Sequence, residues 1–287
     1  TWRPKKYTGN YNITSTDYDT TNATGGNTIL NTNDAGTAVT SGNRTDSNSS
    51  YLKVAVPMNG SNNGTTFTDV VGGHTCTVTG DVHTDTAVSQ FYGSSGQWDG
   101  TGDYITIAAH SDWSLSGDFT IECWMRINTG QKGIMCCIGN FEDSTGFEFY
   151  AAGENDFRVF NGSGLSGYWF GYSGNPTAAD NEWGHYALVR SSGVARAYVN
   201  GVDIGKTYST NTTYSGDITI GGSKATSSYD YHDGYLQDFR LYNGVAKYTS
   251  DFIPPGRTVN TGVNSFHLPF DGSSPVGKDI TSNGINF

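Results

Sequence analysis

The 287 residues carry 16 Lys and Arg against 27 Asp and Glu, a formal net charge of -11. Apart from Arg3, Lys5 and Lys6 the basic residues do not cluster, so the phosphate-neutralising surface on which nucleic-acid binding rests is missing. No stretch approaches the ~18 apolar residues needed to span a bilayer, and membrane insertion is not expected either.

Residues 1–50 are rich in Thr, Asn, Gly, Ser and Asp, with one apolar island at Ile29-Leu30. Such a segment cannot bury enough surface to fold alone, and it reads as an extended arm or linker. The chain begins at Thr1 rather than Met, which points to processing, a fragment, or a start partway along a longer polypeptide. From Tyr51 onward the pattern changes to short runs of period two separated by Gly-rich turns. In DYITIAA, Ile105 and Ile107 oppose Tyr104, Thr106 and Ala108. In FTIECWMRI, Phe119, Ile121, Cys123, Met125 and Ile127 share one face, and Thr120, Glu122, Trp124 and Arg126 the other. GIMCCIG, GFEFYAA, DFRVFNG, GHYALVR, VARAYVNG, DITIGG and GYLQDFRLY continue the series, and Asn200-Gly201 is a strong hairpin signal. No long window holds a helical moment. The expected fold is all-β, a two-sheet antiparallel sandwich over 51–257 between extended arms. Residues 258–287 echo the opening of the main domain and read as a linker and the start of a second repeat.

Catalytic motifs are missing. Gly162, Gly164 and Gly167 have dinucleotide-fingerprint spacing, but YWFGYSGNP follows instead of a helix. Glycosidases need two carboxylates at a set separation, and Glu142-Asp143 with Glu148 supply no proper partner between them. The six histidines form no HExxH, and His185 reads as a hydrogen-bonded strand residue. Cys76, Cys123, Cys136 and Cys137 lack a CxxC pair and read as buried thiols. The chain is therefore expected not to be an enzyme.

Aromatics in Gly-rich segments point elsewhere. Tyr168, Trp169, Phe170 and Tyr172 fall within five residues, and Tyr229 and Tyr231 flank Asp230. A flat aromatic face beside Asp or Asn is what a sugar site needs, so Trp169, Tyr172, Tyr229, Asp230 and Tyr231 are the candidate ligand residues. Each stack contributes only ~0.5–1.5 kcal/mol, so useful adhesion requires many copies.

Taken in order, QWDGTGDYITI, SLSGDFTIECWMRI, NEWGHYALVRSSGVARAYVNGVDIG, DITIGGS and GYLQDFRLYNGVAKYTSDFIPP resemble the laminin G-like, concanavalin A-like jelly-roll family over about residues 51–257. The last of these, with ILNTNDAG and FHLPFDGSSPVGKDITSNG, is similar to modules of marine bacteriophage tail fibres and other virion structural proteins. The resemblance implies a virion surface protein, assembled in the host cytoplasm, whose partners are copies of itself or other virion proteins and cell-surface glycans. A secreted carbohydrate-binding module of a polysaccharide-active enzyme is the alternative. The family also implies a structural Ca2+ at the sandwich edge, with Asp99 and Asp238 at the matching positions; calcium takes about six to eight oxygens.

Overall fold

A computed structural model describes residues 31–32, 38–39, 46, 48–143, 145–152, 157–161, 167–170, 174–223, 230–252 and 254–255. A two-residue pair, β1 (Asn31–Thr32) and β2 (Ala38–Val39), precedes the sandwich. The sandwich strands are β3 (Leu52–Val56), β4 (Cys76–Thr79), β5 (His83–Asp85), β6 (Ser95–Asp99), β7 (Tyr104–Ile107), β8 (Phe119–Ile127) and β9 (Lys132–Ile138). They continue with β10 (Phe147–Ala152), β11 (Phe157–Phe160), β12 (Trp183–Ser191), β13 (Val194–Val199), β14 (Val202–Ser209), β15 (Ile218–Ile220) and β16 (Asp233–Asn243).

These form two antiparallel sheets, as the period-two runs require. The smaller sheet has the order β11-β10-β9-β15-β7-β4, and the larger runs β14-β13-β12-β8-β16-β6-β5 with β3 also paired to β16. Between them lies one core, in which Ile105, Ile107, Phe119, Ile121, Phe147, Phe149, Tyr186 and Leu236 are fully buried. No helix among the described residues is long and apolar enough to cross a membrane.

Local chemistry explains the turns and the kinks. Asn200 and Gly201 have φ of 51° and 80°, the two positive values that a type I′ hairpin needs between β13 and β14. One edge of β16 serves two partners: Asp233–Leu236 pairs with β6, and Phe239–Tyr242 with β3. The changeover falls at Asp238, which has φ of 61° and sits in a bulge against β8.

The central strands of the larger sheet, β8, β12 and β16, are buried on both faces. Residues 245–252 run across the sheet's outer side, where Tyr248 and Phe252 stack at 3.4 Å and pack on Val189 and Tyr198. Trp124 Nε1 donates to the Pro255 carbonyl and Phe252 N–H to that of Gly201, which ties this strap down. Beneath it Glu122, 1% exposed, accepts from Lys247 Nζ at 2.7 Å and Tyr248 Oη at 2.6 Å. His185 Nε2 lies 3.5 Å from the same carboxylate. Burial lowers the His185 pKa despite Glu122, so the imidazole is neutral at pH 7 and the buried charge pair is Glu122 with Lys247. Arg190 is equally enclosed at the sandwich end, donating to the carbonyls of Leu115, Gly117 and Thr212.

The cysteines are free thiols; Cys123, Cys136 and Cys137 are buried and Cys76 is half-buried. Burial pushes the Cys76 thiol up to about 11, so it is protonated at neutral pH. Most of the 1–50 arm and all of 258–287 lie outside the described residues.

Candidate ligand site on the outer face of the smaller sheet

The alternation of β10 and β11 decides what the smaller sheet presents to solvent. Phe147, Phe149 and Ala151 on β10, with Phe157 and Val159 on β11, enter the core. That leaves Glu148, Tyr150, Arg158 and Phe160 on the opposite face. Register aligns one row across the sheet: Phe160 opposes Glu148, Glu148 opposes Cys137, Cys137 opposes Thr219, and Thr219 opposes Thr106.

Glu148 is the unusual member of that row. It is 6% exposed, and its Oε2 finds no hydrogen-bond partner among the described residues. Burial, reinforced by the Asp230 charge and opposed by Ser223 and Lys132, raises its pKa to about 7. A buried polar atom without a partner is uncommon in a finished core and is the kind of group a ligand satisfies.

Aromatic surface flanks this carboxyl on both sides. At one end Arg158 lies over the rings of Tyr150, at 5.3 Å, and Tyr168, at 5.6 Å, while Tyr168 rests 4.7 Å from Phe160. At the other end Tyr104 and Tyr231 stack at 6.5 Å and 15°. Beside Tyr231 opens a cleft of about 360 Å³ lined by Asp99, Lys132, Asp230, Tyr231 and Asp233. Lys132 Nζ meets Asp230 Oδ1 at 2.5 Å, and Asn128 donates to Asp233 at 2.7 Å. Half-exposed rings, a guanidinium and fixed carboxylates together offer flat apolar faces and directed hydrogen bonds, the combination a sugar ring requires.

The profile of the concanavalin A-like lectin/glucanases superfamily matches residues 99–248, just over half of the chain. The chain belongs to this superfamily. Solved structures agree on the fold. Domain 4 of AbnA, an extracellular arabinanase of Geobacillus stearothermophilus crystallised with arabinotriose, is 15% identical; the match covers 67% of this chain and 92% of that domain at a TM-score of 0.51. Trypanosoma rangeli sialidase in complex with sialic acid is 14% identical, with 71% of this chain and 32% of the sialidase covered at a TM-score of 0.51. No curated protein matches the sequence.

Of the sequence-predicted ligand residues, Asp230 and Tyr231 stand in the cleft, while Tyr172 and Tyr229 lie outside the described residues. Trp169 requires a correction: it is 3% exposed, stacked on Tyr208 at 5.0 Å and wedged against Phe147 and Tyr214, so its ring belongs to the concanavalin A-like core. The proposed calcium pair is also corrected. Asp99 opposes Asp233, five positions along β16 from Asp238, which at ~3.3 Å per residue puts the two roughly 16 Å apart. Asp238 is moreover spent on a bidentate pair with Arg240, at 3.0 and 2.7 Å, so these two aspartates do not fit one ion. Asp99 groups instead with Asp81 and Asp103, whose ligand atoms lie within 4.8 Å of one another. The Asp103 carboxylate already accepts the backbone N–H groups of Asp81 and Asp99.

Sequence reasoning overlooked Lys132, Tyr104, Tyr150 and Arg158, and it weighed Glu148 only as half of a catalytic pair. The signal that finds four of these five is the alternation itself. Once the phenylalanines of GFEFYAA and DFRVFNG are assigned to the core, Glu148, Tyr150 and Arg158 must share the other face, as must Tyr104 opposite Ile105 and Ile107.

Proposed function

We propose that this chain is a non-catalytic glycan-binding and assembly module of a virion surface, present in many copies and using the outer face of the smaller sheet to hold host-cell glycans. The observation that carries the sugar-binding part is the buried Glu148 carboxyl, whose Oε2 has no partner among the described residues, between two half-exposed aromatic platforms. Fold neighbours crystallised with arabinotriose and sialic acid support glycans as the ligand class. The virion part is supported by the similarity of GYLQDFRLYNGVAKYTSDFIPP and the flanking segments to phage structural modules.

A polyvalent display of the chain on a glycan array tests the sugar reading. Binding to at least one glycan class is expected, and Tyr231→Ala should weaken it about 2- to 12-fold per site, the worth of one aromatic stack of ~0.5–1.5 kcal/mol. An array that stays blank at high valency contradicts it and leaves a ligand-free decoration or fibre repeat. Assembly is checked separately by light scattering on native material: a large regular particle is expected, and a clean monomer sinks the virion reading.

One observation favours a second reading, a polysaccharide-active enzyme or its accessory module. A carboxyl titrating near 7 beside a second acid resembles the general acid of a glycosidase. Cleavage of a bound glycan that disappears in Glu148→Gln is the result that distinguishes it.

A further inference from the structure

A second group of side chains lies at the other end of the β4–β7 edge from Asp81 and Asp103. His74, just ahead of β4, and His110 and Asp112, just after β7, bring three ligand atoms within 4.8 Å of one another. Behind them Asp69 is 2% exposed and fully engaged. Its Oδ1 accepts the N–H of Ala55 and Val71, and its Oδ2 accepts the N–H of His74 and lies 2.6 Å from His74 Nδ1. A carboxylate held so firmly by backbone donors fixes the proton on Nδ1 and turns the Nε2 lone pair outward. This is the buried carboxylate–histidine arrangement that orients metal-ligating imidazoles.

What the lone pair faces is another acceptor. His74 Nε2 is 3.3 Å from Asp112 Oδ2, and His110 Nδ1 is 3.3 Å from Asp112 Oδ1 while also accepting the Asp112 N–H at 3.2 Å. Two imidazole nitrogens thus converge on one carboxylate, an arrangement that a bound cation would bridge. Both contacts match the edge of about 3.3 Å in a tetrahedron with ligands at about 2.0–2.1 Å from its centre, and ligation by His110 Nδ1 would replace the hydrogen bond it accepts from the Asp112 N–H. Trp113, fully buried, closes one side, its ring 4.9 Å from that of His74 and 5.6 Å from that of His110. The opposite side is open, with the His110 side chain 48% exposed.

We propose that His74, His110 and Asp112 form a site for a first-row divalent transition ion of the zinc type, with Asp69 as the positioning residue and the fourth position open to solvent or ligand. Two imidazoles and one carboxylate select such an ion over calcium, which prefers an all-oxygen shell.

The test is calorimetric titration of the untagged, reduced full chain with Zn2+, paired with the absorption spectrum of the Co2+ form. One ion per chain is expected, with visible cobalt bands free of thiolate charge transfer, since Cys76 is two residues from His74. His110→Ala, at an exposed position, should fold normally, weaken binding at least tenfold and abolish the rise in melting temperature caused by Zn2+. Asp69→Asn should weaken binding about 10- to 100-fold while His74, His110 and Asp112 remain in place. Three results overturn the proposal: no binding by the parent chain, which leaves His74 as a structural link between Asp69 and Asp112; affinity unchanged in His110→Ala; or a thiolate signature in the cobalt spectrum.

Discussion

Glu122→Ala is expected to destabilise the chain by about 3–5 kcal/mol in urea unfolding, the cost of leaving a buried charge without its partner. Burial works against ionisation of Glu122, yet Lys247, His185 and Arg240 hold its pKa well below the ordinary carboxylate range. Lys247 is the group that suffers most from the loss. Its ammonium is 10% exposed and meets Glu122 at 2.7 Å, with Asp46 further away at 3.3 Å. Because Lys247 and Tyr248 belong to the strap, the same substitution loosens residues 245–252 from the larger sheet. Pairing the change with Lys247→Met should recover part of the loss, since the Lys247 charge is no longer orphaned and Asp46 keeps the hydrogen bond from Tyr242 Oη. A single-variant cost under about 1 kcal/mol would mean that the pair is effectively solvated.

The second large effect depends on pH. Glu148 has its pKa raised from 4.5 to about 7, so the folded chain binds a proton there more tightly than the unfolded chain. That contribution is complete below about pH 4.5 and is lost as the pH rises through 7. Above that point ionised Glu148 costs the fold about 3 kcal/mol, at 1.36 kcal/mol per pKa unit. Glu148→Gln keeps the shape and removes the titration. Its stability should match that of the parent near pH 4.5 and exceed it by up to about 3 kcal/mol at pH 7.5. Buried His232, whose pKa burial lowers to about 3, acts with the opposite sign: its contribution is lost as the pH falls through the range between 6.5 and 3. It is common to both proteins and cancels in the comparison. Equal stability of parent and variant at both pH values would show that Glu148 is solvated and has no claim to be the centre of a site.

A group that costs stability when charged is a poor structural choice and a reasonable ligand partner. Proteins retain such groups where something else satisfies them. In the glycan-binding reading a sugar hydroxyl supplies the missing hydrogen bond, and Tyr104, Tyr231, Tyr150 and Arg158 supply the faces.

The fold was legible because its cause is local. Period-two runs such as DYITIAA placed Ile105 and Ile107 in the core, and Asn200-Gly201 announced its hairpin through the only backbone conformation that turn permits. β14 was implied only by that hairpin, because it is polar and largely open to solvent, without the apolar stripe that marks the inner strands. The second buried face of β8 was hidden for another reason. Thr120, Glu122 and Trp124 look like a solvent face until a segment some 125 residues later lies across them. Asp238 read as a metal ligand, but what it does depends on where two partner strands meet on β16, which register decides and spacing does not reveal. Trp169 failed similarly: in a Gly-rich segment its ring looked free, whereas the core closes over it from Tyr208 and Tyr214. Asp230 and Tyr231 were singled out from residue type alone, and both line the cleft. Their neighbour Lys132 comes from a strand almost a hundred residues away and carries no mark of its role.

Incubating the chain with the glycan it retains most strongly, and recovering that glycan for product analysis, separates binding from catalysis. The glycan should be recovered intact, with retention reduced by Tyr231→Ala. Shortened products formed by the parent chain and absent with Glu148→Gln would contradict the non-catalytic reading and make the outer face of the smaller sheet an active site.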